Sequence, residues 1–437
     1  MPRLRTAPIP KRRTHPRRLL RILAAALVAL AAPGCTILYN AFASEKRSVY
    51  HFDHPFATAD PAFQRSLDAF GTQMTGGNAV ELLNNGDQFF PAMLGAIAAA
   101  SRSVDLESYI FHDDRAGRLF AGALVAAAKR GVEVRVLVDG AGGRAGKLFD
   151  VMRAGGVKIR VYHPLQLLTI YRLGRRTHRK ILVVDGTECF TGGMGIDERW
   201  LGNARNPREW RDVEVEARGP ITAEMQAIFA EDWTYTTGEI LAGDKFYPPL
   251  RPVGSVLAQA IKVSSGDSSS LSKMLYYVAI KSATKSIHIE NAYFLPDRQV
   301  RDALIQAVHR GVDVEVIVPG KHIDIPIVRM ASRLHYGSLL AGGVRIFEFR
   351  DTNLHSKTLV VDGIFSTVGS INLDQRSMTK AAEESLSFYD RGFAAEMDRV
   401  FAADRARSQE VTYRAWKRRG LLKRLGELVS WMWEPLY

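Results

Sequence analysis

Cysteine is almost absent from this chain, and long hydrophobic runs are scarce. The two cysteines, Cys35 and Cys189, cannot form a disulfide framework, and the apolar segment around Cys189 predicts a buried core thiol. The apolar run Ile22–Ala32 has eleven residues, which is short for a membrane-spanning helix. The first absence excludes a disulfide-stabilised scaffold, and the second favours a signal peptide over a spanning helix.

Acidic residues are absent from the N-terminal end of the chain and few near its C-terminal end. Residues 1–34 hold eight Lys or Arg and no acid, and residues 405–424 hold eight more against Glu410 alone. The whole chain carries a net charge of +13, so the part between these ends is close to neutral. Two basic ends on a near-neutral body fit an anionic membrane surface, whereas a nucleic-acid partner would require a basic stripe on the folded part. We therefore expect a membrane surface and no nucleic acid.

The basic N-terminus, residues 1–36, is predicted to be a signal peptide or a membrane anchor. Its segment Ala32–Cys35 resembles a lipoprotein cleavage site with Cys35 as the lipidated residue, and an uncleaved signal anchor is the alternative. In both cases the basic segment stays inside, so the folded part is expected on the periplasmic side of a bacterial inner membrane. Residues 37–75 show no clear period, which predicts a linker.

The rest of the chain repeats itself. With 437 residues, 46% of them hydrophobic and 24% charged, it is long enough for two globular halves. Arg130–Val138 recurs as Arg310–Val318, and other stretches recur at offsets between 177 and 187, which indicates an internal duplication. Strands alternate with helices, so we predict an α/β fold with a largely parallel sheet in each half. The halves are placed at residues 76–245 and 250–404, followed by a basic amphipathic tail at 405–437.

The most informative repeat is a His-x-Lys strand, with His178 and Lys180 in the first copy and His355 and Lys357 in the second. Side chains two residues apart on a strand share a face, so each copy presents an imidazole beside an ammonium group. Two copies brought together supply one imidazole as nucleophile, one as general acid, and two cations for the non-bridging oxygens of a phosphodiester. This chemistry requires neither a metal nor a cofactor, and none is expected.

Each copy ends in an aspartate, Asp185 or Asp362, seven residues after its histidine. An odd separation places the aspartate on the opposite face of a regular strand. We include both aspartates among the candidate site residues because they complete the motif. The alternation nevertheless predicts a structural role, in a turn or an ion pair, rather than proton transfer.

The paired motifs resemble those of the phospholipase D superfamily. The resemblance extends from about Asn78 to the C-terminus. Four stretches outside the motifs are similar to the bacterial cardiolipin synthase branch of this superfamily: Tyr109–Phe111, Trp210–Asp212, Tyr293–Asp297 and Asn372–Ser377. This resemblance implies two tandem pseudo-symmetric halves, each a mixed sheet flanked by helices, with the active site between them. It also implies that a histidine attacks the phosphorus to give a phosphohistidine.

The resemblance also implies roles for individual residues. We assign His178 as the nucleophile and His355 as the acid and base, although the two copies are chemically equivalent. Asp212 and Glu383 are expected to orient the imidazoles. The phosphate is expected to be bound by three side chains, Lys180, Lys357 and Asn372. The first copy has Gly195 where the second has Asn372, so this donor is missing from the first half.

Two segments have the composition expected for contact with lipid. The apolar loop Leu165–Tyr171 precedes a basic stretch, and it either dips into acyl chains or packs on the core. The tail Glu410–Trp433 places Leu421, Leu425 and Leu428 at helical spacing. That pattern is typical of an interfacial helix and equally of a helix that packs on its own domain.

The leading hypothesis is a membrane-associated phosphatidyltransferase that joins two phosphatidylglycerols into cardiolipin and releases glycerol. Hydrolysis by a phospholipase D is the same chemistry with water as the acceptor, and it is the first alternative. A nuclease of the same superfamily and a non-catalytic membrane-binding protein are the others. The two intact His-x-Lys pairs favour catalysis.

Overall fold

The computed structural model describes residues 49–53, 55–70, 73–165, 175–264 and 271–431. The predicted N-terminal anchor with Cys35, and most of the loop Leu165–Tyr171, lie outside these residues. Within the described ranges, no helix combines the length and the apolar character needed to cross a membrane.

The first half follows a helix, α1 (Pro61–Phe70), and alternates strands with helices. Its elements in chain order are β1 (Thr75–Asn84), α2 (Gly86–Ala99), β2 (Ser103–Ser108), β3 (Phe111–His112), α3 (Arg115–Lys129), β4 (Glu133–Asp139), β5 (Gly143–Arg144), α4 (Lys147–Ala154), β6 (Lys158–Tyr162), β7 (Ile181–Val184), β8 (Glu188–Gly192), β9 (Val213–Arg218) and α5 (Ile221–Thr237). A single 3₁₀ turn, Glu198–Trp200, lies between β8 and β9.

The second half repeats this order and is followed by the tail. Its elements are β10 (Val256–Val263), α6 (Leu271–Ser282), β11 (Ser286–Asn291), α7 (Arg298–His309), β12 (Asp313–Pro319), α8 (Pro326–Ala341), β13 (Arg345–Phe349), β14 (Lys357–Val361), β15 (Phe365–Gly369), α9 (Gln375–Thr379), β16 (Glu383–Tyr389) and α10 (Arg391–Ala406). The tail forms β17 (Ser408–Glu410), α11 (Tyr413–Lys417) and α12 (Leu421–Trp431).

Aspartate N-caps fix the starts of three of these helices. The carboxylates of Asp114, Asp297 and Asp390 accept backbone N–H groups in the first turns of α3, α7 and α10. Such a cap satisfies one of the N–H groups that a helix start leaves without a partner. The strands that follow α3 and α7 are almost wholly buried, as their runs of valine and isoleucine predict.

The duplication predicted from the sequence is confirmed by the strand order. The first sheet runs β6-β4-β2-β7-β8-β9-β1, and the second runs β13-β12-β11-β14-β15-β16-β10 in the same relative order. The two sheets join where β1 pairs antiparallel with β10, and β17 extends the far edge beside β13. Two α/β halves therefore share one continuous sheet.

The prediction that each sheet is largely parallel is wrong. Among the described strands, each seven-stranded sheet has two parallel pairings and four antiparallel ones. A tight turn at Asp185–Gly186 joins β7 to β8, and Asp362–Gly363 joins β14 to β15, with positive φ at all four residues. Such turns produce antiparallel hairpins, because a parallel connection requires a crossover of a dozen or more residues.

A core shared by the two halves fixes their relative position. It packs Phe229 of α5 and Phe393 of α10 against both sheets, together with Val215 of β9 and Leu386 of β16. Each half also has a separate core on the other side of its sheet. Close packing of this kind holds the two His-x-Lys strands in a defined register.

Part of the predicted linker is a packed helix. Residues 61–70 form α1, and its Phe63 and Leu67 are fully buried in the core of the second half. The Thr58 amide donates to the Ser282 carbonyl at 3.1 Å, and Tyr389 donates its hydroxyl proton to the Thr58 carbonyl at 3.0 Å. The linker prediction is therefore wrong for residues 61–70. The short amphipathic period of α1 is hard to recognise without the surface that covers it.

Candidate active site

Each motif histidine lies on a short segment that docks against the opposite half. The His178 amide donates to the Ala382 carbonyl at 2.8 Å, and the His355 amide donates to the Arg211 carbonyl at 2.7 Å. Isolated bridges pair Thr177 with Ala382 and Arg211 with Leu354. Each His-x-Lys strand is thus anchored next to the first residues of β16 or β9 in the other half.

This docking brings each imidazole to a carboxylate of the other half. His178 Nδ1 lies 2.9 Å from Glu383 Oε2, and His355 Nδ1 lies 3.0 Å from Asp212 Oδ2. Both carboxylates are buried. A carboxylate at Nδ1 fixes the ring and leaves Nε2 as the reactive nitrogen. The sequence pointed to these two acids as orienting groups, and the structure places them crosswise.

The lysines lie beneath the histidines, and both are buried. Lys357 Nζ lies 2.8 Å from His355 Nδ1, and Lys180 donates to the His178 carbonyl at 2.5 Å. Burial, followed by the charge of Lys180, lowers the pKa of Lys357 to about 7, although the acids nearby oppose this. A bound phosphate would supply the negative charge that keeps both ammonium groups protonated.

The pKa of each motif histidine is lowered from its usual value. Burial, then the charges of Lys180 and Lys357, lower the pKa of His178 well below its usual value. Burial and the charge of Lys357 also lower the pKa of His355, although Asp212 opposes the shift. Because a neutral imidazole is the nucleophilic form, His178 is suited to attack phosphorus. Since His178 contacts Glu383 of the second half and His355 contacts Asp212 of the first half, the two motifs meet where the halves join.

The two orienting carboxylates receive different supporting hydrogen bonds. Trp200 donates its indole N–H to Asp212 Oδ2 at 2.8 Å, whereas Ser370 donates its hydroxyl proton to Glu383 Oε2 at 2.6 Å. Burial acts to raise the pKa of Asp212, but the hydrogen bonds from His355 and Trp200 and the Lys357 charge outweigh it and lower this pKa. Burial dominates at Glu383 and raises its pKa.

Trp200 also explains why the first half has glycine at position 195. A Cβ added to Gly195 would lie 2.9 Å from Ile110 Cβ and 3.1 Å from the Trp200 ring, so no asparagine side chain fits there. In the second half Asn372 is buried, and its carbonyl oxygen accepts the Tyr293 amide at 3.2 Å. The indole ring therefore occupies the space that an asparagine amide would need, and the first half has no side-chain donor at this position.

Replacing Trp200 with phenylalanine is expected to shift the acidic side of the kcat profile to higher pH. The substitution keeps a ring against His355 and Trp210 but removes the donor to Asp212, so the pKa of this carboxyl rises. Loss of one hydrogen bond to a charged group predicts a decrease of about 10-fold in kcat near neutral pH. The measurement is kcat against pH.

Trp233→Phe is the matched control for this prediction. Trp233 likewise donates its indole N–H to a carboxylate, Glu239 Oε2 at 2.9 Å, but on α5 rather than in the site. The control should leave the profile unchanged. An acidic limb that does not move in Trp200→Phe would show that this indole does not support Asp212.

The motif aspartates bind backbone rather than the site. Asp185 accepts the amides of Ser101, Arg102 and Ser103, and Asp362 accepts those of Thr284, Lys285 and Ser286. Burial opposes ionisation, but these hydrogen bonds outweigh it and lower the pKa of both carboxyl groups. The geometry is that expected for the structural role. Each aspartate ties its hairpin to the segment before β2 or β11.

Substituting Asp185 with asparagine is expected to reduce stability without changing kcat. The folded-state pKa is depressed, so the stabilisation exists above the unfolded pKa near 3.9 and is lost as the pH falls through the lower folded value. Loss of the charged acceptor predicts a decrease of about 1–3 kcal/mol in the free energy of unfolding at pH 7. Chemical denaturation from pH 7 to pH 3 should show the difference narrowing in acid.

The exposed Asp150 of α4 provides the control, as Asp150→Asn should change neither quantity. Asparagine tolerates the positive φ at residue 185, so backbone strain is not introduced. A loss of kcat in Asp185→Asn with unchanged stability would contradict the structural role.

The sequence did not reveal the roles of several residues around the histidines. The Tyr109 ring lies edge-on to His178 at 5.1 Å and takes part in a hydrogen bond with Arg376. Tyr293 faces His355 at 6.4 Å and donates its hydroxyl proton to Asp324 at 2.6 Å. The Tyr109 ring thus packs against His178, whose side chain is 14% exposed, and the Tyr293 ring packs against His355. Repeat alignment would have signalled the tyrosines, since each follows its central strand β2 or β11.

Two imidazoles on opposite halves, each with a lysine on its own strand and a carboxylate from the other half, define an enzyme of the phospholipase D superfamily. The family model described as "Cardiolipin synthase, PLD-like domain" matches residues 93–233 and 276–405. The chain therefore belongs to the cardiolipin synthase family of phospholipase D-like proteins, as the sequence motifs predicted.

Curated relatives agree with this assignment. Cardiolipin synthase A of Pseudomonas entomophila is 35% identical over 362 residues, covering 82% of this chain and 75% of the relative. Cardiolipin synthase of Geobacillus kaustophilus is 33% identical over 360 residues, covering 81% and 72%. The fold is also that of the crystal structure of phosphatidylserine synthase from Haemophilus influenzae, with a TM-score of 0.66 and 13% identity over 86% of this chain and 100% of that chain.

Proposed function

We propose that the protein is a membrane-associated phosphatidyltransferase that joins two phosphatidylglycerols into cardiolipin and releases glycerol. The observation that carries the proposal is the crosswise pairing of His178 with Glu383 and of His355 with Asp212 around one site. Relatives named cardiolipin synthase support the choice of lipid.

In the first step His178 Nε2 attacks the phosphorus of one phosphatidylglycerol. The P–O bond to the terminal glycerol breaks, and His355, which starts this step protonated beside the Asp212 carboxylate, gives its Nε2 proton to the leaving oxygen. The product is a phosphatidyl-histidine. Charge on the non-bridging oxygens is stabilised by Lys180 and Lys357, with Asn372 as a further donor, because buried cations act strongly in a site of low dielectric.

In the second step the terminal hydroxyl of another phosphatidylglycerol attacks the phosphatidyl-histidine. His355 accepts the hydroxyl proton, the P–N bond breaks, and cardiolipin leaves. His178 is regenerated, and the net reaction converts two phosphatidylglycerols into cardiolipin and glycerol. Water in place of the second hydroxyl would give phosphatidic acid, so exclusion of water from the site decides between transfer and hydrolysis.

Membrane attachment is the remaining part of this proposal. The N-terminal segment 1–36, with a lipidated Cys35 or an uncleaved anchor, would hold the enzyme at the inner membrane where its substrate lies. The sequence favours the periplasmic side. The basic ends would add attraction to anionic lipids.

The deciding experiment incubates the full-length enzyme with vesicles of phosphatidylglycerol labelled in the terminal glycerol. Cardiolipin and labelled glycerol in equal amounts are expected. EDTA should leave the rate unchanged, because the two lysines rather than a metal ion stabilise the charge on the phosphate oxygens. Phosphatidic acid as the main product would show that the enzyme is a hydrolytic phospholipase D rather than a transferase. No lipid product, or a rate lost to EDTA and restored by a divalent ion, would contradict the proposal.

A further inference from the structure

Helix α12 turns its polar side toward the protein and its apolar side toward solvent. Glu427 is 2% exposed, whereas Leu422 is 84% exposed. Five apolar side chains lie together on the exposed side, and we call them the leucine face: Leu421, Leu422, Leu425, Leu428 and Val429. A surface helix of a globular domain normally has the opposite arrangement, so the leucine face is suited to a partner outside the domain.

Buried polar contacts fix this orientation of α12. Glu427 accepts from Arg419 Nε at 2.6 Å and lies 3.5 Å from Arg333 Nε on α8. The Trp416 indole of α11 donates to the Arg333 carbonyl at 2.8 Å. Rotation of α12 to bury the leucine face would separate Glu427 from Arg419 and Arg333, and the contacts that these pairs make would be lost.

The exposed charges of residues 411–431 are all positive. Within residues 411–431, Glu427 is the single acidic residue, and it is buried. The exposed cations of the same segment are Arg414, Lys417, Arg418, Lys423 and Arg424. Leucines bordered by lysine and arginine match a bilayer of anionic phospholipid, in which the apolar side chains enter the acyl region and the cations meet the headgroups.

The position of α12 relates the leucine face to the active site. The Trp416 ring packs on Gly337, and Gly426 packs on Met330, so the tail runs antiparallel to α8. The end of α12 therefore lies toward the start of α8 at Pro326. That start directly follows the segment whose Asp324 carboxylate accepts the Tyr293 hydroxyl, next to His355.

We propose that the leucine face docks α12 onto an anionic phospholipid bilayer and so presents the active-site edge to lipid headgroups. A second copy of the chain fits less well, because a two-fold contact through α12 would bring its cation clusters together without exposed acids from the same segment. The choice of lipid rests on the proposed function, but the first experiment below does not depend on turnover.

The first experiment measures whether the leucine face enters the bilayer. Full-length protein carrying Leu422→Cys is labelled with an environment-sensitive fluorophore and mixed with vesicles of phosphatidylglycerol and phosphatidylcholine whose acyl chains carry a quencher. Ile240→Cys, an exposed apolar site on the connection after α5, is the matched control, and the unsubstituted chain gives the background from Cys35. Quenching is expected at residue 422 and not at residue 240, and it should weaken when phosphatidylcholine replaces phosphatidylglycerol.

Other results would overturn the proposal. Absence of quenching at both positions would show that the leucine face stays in water, and equally strong quenching at both would show that contact with lipid is not specific to this face. A fluorophore at residue 422 that is shielded without lipid, in a manner that depends on protein concentration, would assign the face to a second copy. Shielding without lipid at every dilution would assign it to another segment of this chain.

The second experiment measures the effect of the leucine face on access to lipid. The double variant Leu422→Glu and Leu425→Glu should lower turnover of long-chain phosphatidylglycerol in vesicles, relative to turnover of a soluble short-chain lipid, by about 10-fold or more. Ile240→Glu is expected to leave this ratio unchanged. An unchanged ratio in the double variant would contradict docking, whereas absence of turnover on both lipids in the unsubstituted enzyme would contradict the proposed function instead.

Discussion

Alanine at position 178 is expected to lower the turnover of phosphatidylglycerol by about 10⁴-fold or more, because the covalent intermediate then has no nucleophile. Alanine at position 355 is expected to cost about 10²–10⁴-fold, the usual contribution of a general acid and base. Both values are obtained from cardiolipin formation in vesicles. The loss is smaller in His355→Ala because water can slowly supply the proton that the glycerol leaving group needs. No such substitute exists for the nucleophile that is missing in His178→Ala.

His288→Ala is the matched control for both histidine variants. His288 also has a carboxylate at Nδ1, Asp398 at 2.7 Å, but its ring stacks on Phe401 of α10, outside the site. Loss of this pair should affect stability and leave kcat of the folded enzyme unchanged. Turnover within about 10-fold of the unsubstituted enzyme in either His178→Ala or His355→Ala would contradict the mechanism.

The second large effect concerns the crosswise carboxylates. Glu383→Gln and Asp212→Asn should each lower kcat by about 10²–10⁴-fold. The carboxylate accepts the Nδ1 proton of the histidine from the other half, and a neutral amide is a weaker acceptor that can also present its NH₂ group. Their pKa shifts differ in direction, raised at Glu383 and lowered at Asp212. As the pH falls, Glu383 therefore takes up its proton first and Asp212 follows, so the acidic limb of the kcat profile should contain both ionisations, and Trp200→Phe should move the second.

A double-mutant cycle tests the pairing itself. Glu383→Gln is expected to cost little in the His178→Ala background, because its partner is already missing, while Asp212→Asn should still reduce the residual activity. The reverse pattern is expected in the His355→Ala background. If Glu383→Gln instead costs little in the His355→Ala background, Glu383 orients the histidine of its own half. The crosswise pairing would then be wrong.

The sequence predicted the duplication and the pairs of histidine and lysine because both depend on local order. A strand places residues two apart on one face wherever it lies, so the proximity of His178 to Lys180 follows from alternation. The position of Asp185 behind that face follows from the same rule. The crosswise pairing does not, since it depends on how β1 meets β10 and on a core built from both halves.

The errors have the same origin. Parallel sheets were expected because helices alternate with strands. In the second part of each half, however, tight turns after β7 and β14 join consecutive strands directly, and such strands pair antiparallel. Trp200 was overlooked because its indole reaches Asp212 across twelve residues of loop. The repeat offset of 177 residues pairs Trp200 with Ser377 of the second half. Ser377 likewise hydrogen bonds to an orienting carboxylate, that of Glu383. That comparison was the signal available in the sequence.

The most direct test of two imidazoles acting on one phosphorus is a burst experiment with a phosphatidyl ester of p-nitrophenol. This leaving group needs no acid, so His355→Ala should still form the phosphatidyl-histidine, release about one nitrophenolate per enzyme and then stall. His178→Ala should give no burst, and mass spectrometry under alkaline conditions should find the phosphatidyl group on His178. Bursts of equal size from both variants, or from neither, would contradict a single site in which one histidine attacks and the other transfers the proton.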